Sequence, residues 1–176
     1  MKNEIEAVLS PLVGLHLWGP ARAANMLSIQ LGSPRAAPTT RAPDRQVGEF
    51  AIHIFCPWRL TRGSEVVVGS GDLLTPADPD ADPEDFDWDQ VGSTWWDVGM
   101  REVFDDARVT LHVESVRGDD VGGFALHCTE RFVFEVFPNS ARAAHVETEF
   151  WRVLQPATAE PHFVVDTTGW HRDSVA

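Results

Sequence analysis

Cysteine is scarce: Cys56 and Cys128 are the only two, each inside an apolar, strand-like run. Two such residues are expected as reduced core thiols rather than a disulfide, and by count they exclude a zinc site built on cysteine. No run approaches the roughly 20 apolar residues needed to cross a bilayer. The first ten residues carry Glu4 and Glu6 where a secretory signal carries bases. A soluble protein in a bacterial-type cytosol is therefore expected.

Lysine is rarer still, with Lys2 alone and arginine supplying the other bases, a bias that looks like GC-rich coding. Fourteen bases stand against 27 acids, a formal net charge of −13. A chain this acidic is repelled by phosphate backbones and anionic lipid, so neither nucleic acid nor a membrane is an expected partner, whereas a basic protein is. Enzyme signatures are missing too. Neither a G-x-S-x-G elbow nor a phosphate loop occurs, and Gly69-Ser70-Gly71-Asp72 reads as a tight turn. His127 and Cys128 are adjacent, so on a strand they face opposite ways and cannot act together as base and nucleophile. No catalytic residue and no cofactor is assigned.

What is present is alternation. Phe50, Ile52, Ile54, Cys56, Trp58 and Leu60 recur at a period of two, the pattern of a strand with one face on a core. Pro57 lacks a backbone donor and places an edge or a bulge near that point. Leu27, Ile29 and Leu31 give an earlier strand ending at Gly32, and Glu65 to Val68 a later one. Residues 33–46, rich in Pro, Ala, Thr and Arg, read as a mobile loop between them.

The second half repeats the plan with Val109 to Val113, a turn over 117–123, Phe124 to Cys128 and Phe132 to Phe137. Phe124-Ala125-Leu126-His127 echoes Phe50-Ala51-Ile52-His53, which leaves an internal duplication open. Val146 to Leu154 and His162 to Val165 complete the strands. Helix is expected only at Asn3 to Leu9, closed by Pro11, and in short turns at Pro20 to Asn25 or Met100 to Asp106. The expected fold is a single β-rich α+β domain over residues 1–176. Two antiparallel meanders would form a sandwich or a curved sheet with one or two short helices.

The most unusual segment, 72–106, holds twelve acids against the single base Arg101 and interleaves them with Phe86, Trp88, Trp95 and Trp96. Complementary charge steers encounter and large rings supply desolvated anchors, so Asp78, Asp80, Asp82, Asp85, Trp88, Asp89, Trp95 and Trp96 form a candidate binding surface for a basic partner. A solvated loop whose tryptophans tuck into the core is the plainer alternative. Asp78, Asp80, Asp82 and Asp89 fall at four positions of a calcium-loop template. Pro83 occupies the template's glycine position and the last acid is Asp rather than Glu, so no metal site is assigned.

An alternative pocket for a small hydrophobic metabolite groups His53, Trp58, His127 and Arg152, as in a small enzyme or ligand-binding barrel. His53, His112 and His127 sit on the polar faces of three expected strands, where convergence on a metal is open. Trp58-Arg59 and Trp151-Arg152 are a further echo, each arginine placed to stack on a ring or to meet an acid across the sheet. Homo-oligomerisation through a strand edge near Pro57 is a third option.

Leu12-Val13-Gly14-Leu15, Arg22 through Leu27, Ile29-Gln30-Leu31-Gly32, His53 through Leu60 and Gly69 through Asp72 together resemble a family of uncharacterised small bacterial proteins. The likeness covers about the first 75 residues and is loose beyond them. It implies no activity. Small acidic cytosolic domains of this kind are often immunity proteins that neutralise toxins, a similarity of class that leads to an immunity or inhibitor role and a toxin as the basic partner.

Overall fold

The computed structural model describes residues 1–82, 84–106, 109–141 and 148–174. Helix α1 spans Lys2–Leu9 and runs into a 3-10 turn at Ser10–Leu12, where Pro11 ends the α-helical bonding. The strands follow in order: β1 His16–Ala23, β2 Met26–Leu31, β3 Arg35–Ala36, β4 Gln46–Val47, β5 Phe50–Ile54, β6 Trp58–Arg62 and β7 Glu65–Gly69. A 3-10 turn at Ser70–Leu74 and helix α2 at Trp95–Phe104 precede β8 Leu111–Gly118 and β9 Phe124–Cys128. After a 3-10 turn at Thr129–Arg131 come β10 Phe132–Val136, β11 Glu149–Leu154, β12 His162–Asp166 and β13 Gly169–Asp173. This is the β-rich α+β fold expected from the alternation.

Eleven of these strands form one antiparallel sheet in the order β13-β12-β11-β5-β2-β1-β8-β9-β10-β6-β7. Four strands separate β11 from β9 in that order, yet Phe124 of β9 meets Trp151 of β11 edge-on at 4.8 Å. The Trp151 indole N–H also donates to the Gly122 carbonyl at 2.7 Å. The sheet therefore curls over on itself without closing, and the face it encloses carries the core. Leu27, Ile29 and Leu31 of β2, Ile52 and Ile54 of β5, and Leu126 and Cys128 of β9 all point into it. Ile5 and Leu9 of α1 join the same cluster.

Three expectations are corrected. Phe50 to Leu60 is two strands. The chain leaves the sheet at Phe55 to Pro57, and β5 lies between β2 and β11 while β6 lies between β10 and β7. Pro57 marks this break rather than a sheet edge; the edges are β7 and β13. Pro20 to Asn25 is not a helical turn. It is the end of β1 and a two-residue hairpin turn, with a register shift between Trp18 and Ala21 that accommodates Pro20. Within the stretch expected as a loop over 33–46, Arg35 and Ala36 pair with Val47 and Gln46 in the short β3-β4 ladder.

The echoing segments share their phase, Ile52 and Leu126 inward and His53 and His127 half-exposed. Their continuations differ, since β9 turns back to pair with β10 whereas β5 pairs with no part of β6. Of the strand expected from Val146, residues 146 and 147 lie outside the described residues. Cys56 and Cys128 are free and buried, and burial pushes each thiol up to about 12.

Candidate functional site

The segment 72–106 divides into two parts of opposite character. Thr94 caps α2: its hydroxyl oxygen accepts the Asp97 backbone N–H at 3.2 Å. The Asp97 carboxylate in turn accepts the Thr94 backbone N–H at 3.4 Å, which completes a capping box that fixes where the helix starts, and also accepts the Thr94 hydroxyl at 3.0 Å. From that start Trp96, Met100 and Val103 fall on one face and enter the core. Gly99 permits the approach to β7, since a Cβ there would stand 3.0 Å from Val68 Cβ.

Arg22, near the end of β1, ties the helix down. Its Nε donates to Asp97 Oδ1 at 3.1 Å and its Nη2 to Asp97 Oδ2 at 3.3 Å, with each side chain only 6% exposed. Nη2 also donates to the Gln90 carbonyl at 3.0 Å, and the guanidinium stands 5.9 Å from the Trp96 ring centre. Burial pushes the Asp97 carboxyl up, but bonds from Arg22, the Gly92 N–H and Thr94 outweigh it and hold the group below its ordinary 3.8.

The other part, 77–93, stays outside. Asp78, Asp80, Asp82, Glu84, Asp85, Asp87 and Asp89 are all exposed. Among the described residues the only basic side chain paired with any of them is Arg22, 3.7 Å from Asp89. Asp78, Asp82 and Asp87 accept backbone N–H groups two residues on, which folds the loop into successive tight turns. Asp78, Asp82, Asp85 and Asp87 line a hollow of about 310 Å³. Among the described residues no cluster suits a metal ion.

Between the loop and the sheet lies a more apolar hollow of about 350 Å³. The β1-β2 hairpin contributes Arg22, Met26 and Leu27, and the β5-β6 link contributes Phe55, Cys56 and Trp58. Ser70, Leu73 and Leu74 come from the 3-10 turn, Trp88 from the acidic loop and Trp96 from α2. Trp58 and Trp96 meet edge-on at 6.3 Å. Ala24 in the hairpin turn holds φ at 52°, a left-handed conformation unfavourable for alanine. The Cys56 thiol at the hollow, raised as it is, remains protonated and is no nucleophile at neutral pH.

Of the surface expected from sequence, Asp78, Asp80, Asp82, Asp85, Asp89 and Trp88 stay together on the loop. Trp95, 42% exposed, lies on α2, and Trp96, 6% exposed, belongs to the core. The four residues of the alternative pocket do not share a hollow. Trp58 points inward, whereas His53 and His127 take the alternate positions of β5 and β9, opposite the core-facing Ile52 and Leu126 and with three strands between them. His53 does face Arg152 across the β5-β11 ladder. Burial, and then the Arg152 charge, lower its pKa.

Arg152 is bound by Glu149, with Nε donating to Oε1 at 2.6 Å, and by His162 at 3.1 Å. Arg59 pairs across the sheet with Glu135 at 2.6 Å, as its position beside Trp58 suggested. His112 pairs with His16, ring centres 5.5 Å apart, rather than with His53 or His127.

Arg22, Ser70 and Leu74 escaped sequence reading. The Thr94-x-x-Asp97 box was the available signal for the helix, but nothing local marks Arg22 as its anchor. Neither a family model, nor a curated protein, nor a solved structure matches the chain.

Proposed function

We propose that the chain is a non-enzymatic binding protein of immunity or inhibitor type that docks on a basic protein partner through the acidic loop. The observation that carries this reading is the set of seven exposed carboxylates between Asp78 and Asp89, of which, among the described residues, only Asp89 has a basic neighbour. Like charges kept together on a surface destabilise the chain that carries them, and a cationic partner relieves that repulsion while being steered to it. Trp88, 36% exposed beside the carboxylates, and Val91, 82% exposed, supply apolar contact for the centre of such an interface.

The test is affinity capture of the partner from cognate lysate, then titration of the purified pair over a salt series. Affinity falls steeply as ionic strength rises if the loop carries the contact. An affinity independent of salt refutes the reading.

A further inference from the structure

The geometry points to a second binding site, the hollow of about 350 Å³ walled by Trp58, Trp88, Trp96 and Phe55, as a pocket for a small, neutral, largely aromatic molecule that presents a carbonyl-type acceptor. Its volume is that of a small-molecule site, and such sites combine apolar walls with a few directed polar groups. Most of the polar groups here can donate, since Arg22 and the indoles are donors only, while Asn25 and Ser70 can both donate and accept.

Trp58 is 2% exposed and Trp96 6%, and among the described residues the indole N–H of neither has a hydrogen-bond partner. Arg22 spends Nε and Nη2 on Asp97 and Gln90, while Nη1 has only Asp89 at 3.7 Å, beyond hydrogen-bond length. Ser70 Oγ accepts the Trp58 backbone N–H at 3.3 Å and, among the described residues, has no acceptor for its own proton. Yet among the described residues no fully buried side-chain nitrogen or oxygen lacks a partner. The unpaired donors of Trp58, Trp96 and Arg22 must therefore retain contact with open space; all three side chains border this hollow, and Arg22 and Trp96 also border a second one of about 430 Å³ against α2.

An occupant with an acceptor pairs donors that the protein leaves unpaired in an otherwise apolar setting, where the bond discriminates most. Charge decides against an anion. Arg22 is already neutralised by Asp97, and the carboxylates of the adjoining loop repel a negative ligand at the mouth. This chemistry shares the Trp88 wall with the loop surface but does not require that the loop meets a protein.

Three near-isosteric probes separate the possibilities: 2-acetylnaphthalene, 2-ethylnaphthalene and 2-naphthoate, titrated while the indole N–H resonances of the seven tryptophans are followed by NMR. The ketone is expected to shift the Trp58 and Trp96 resonances saturably and to bind at least about tenfold more tightly than the hydrocarbon or the carboxylate. Leu74 is 69% exposed at the hollow, so Leu74→Glu leaves the fold intact and weakens ketone binding by at least about fivefold. Equal binding of the three probes, shifts confined to other tryptophans, no binding up to solubility, or an unchanged affinity in Leu74→Glu each overturns the site.

Discussion

Residues 77–93 and 95–104 are neighbours in one acidic stretch, yet the first lies outside the sheet and the second is sealed onto it. The difference comes down to what each carboxylate can find. Asp97 finds Arg22, the Gly92 N–H and the Thr94 cap, and with those partners it is carried into the protein beside Trp96. The loop carboxylates find mainly their own backbone, which leaves their charge unspent. Burial of an acid follows from the availability of a cation and donors rather than from local composition.

The comparison is broken most severely at Arg22. Arg22→Met leaves Asp97 buried without its cation and is expected to cost about 3–5 kcal/mol, read by chemical denaturation. An unfolding midpoint near wild type would mean that α2 is held by something else. Gly99→Val is next: a branched side chain where Val68 Cβ already stands 3.0 Å from a Cβ position forces the helix off β7. A loss of about 1–3 kcal/mol is expected in the same measurement.

The pH dependence sharpens the contrast. Because Asp97 is held below its ordinary 3.8 in the folded chain, its contribution is fully present above about that pH and is lost as pH falls through the folded value. Asp97→Asn, less stable at neutral pH, should therefore show a shallower acid limb than wild type in a pH series of unfolding midpoints. Parallel limbs would show that Asp97 does not govern acid unfolding. Smallest in its effect on stability is the change of Asp78, Asp82, Asp85 and Asp87 together to Asn. With the mutual repulsion relieved, the unfolding midpoint should stay at or slightly above wild type, and a large fall would show that the loop supports the fold.

The strand content was legible because alternation survives folding almost unchanged. Leu27, Ile29 and Leu31, or Ile52, Ile54, Cys56, Trp58 and Leu60, all face inward as their spacing requires. That same regularity hid the break at Phe55 to Pro57, since inward phase is kept across it and periodicity carries no information on strand partners. The sheet's curl, and with it the meeting of Phe124 with Trp151, depends on pairings far apart in sequence that no local pattern encodes.

In the candidate site the acids were legible as a cluster but not as two populations. Trp95 and Trp96 looked alike beside Asp97, and only helix geometry turns the first outward and the second into the core. Arg22 could not be singled out because its partner lies 75 residues away. The grouping of His53, Trp58, His127 and Arg152 assumed one shared interior face, whereas the two histidines take the outward positions of their strands.

The most direct test of the loop's role is to titrate wild type and the four-Asn loop protein against the same basic partner at one low ionic strength, with unfolding midpoints measured in parallel. Binding weaker by about tenfold or more at a midpoint no lower than wild type is the predicted result. Equal affinity for the two proteins would contradict it.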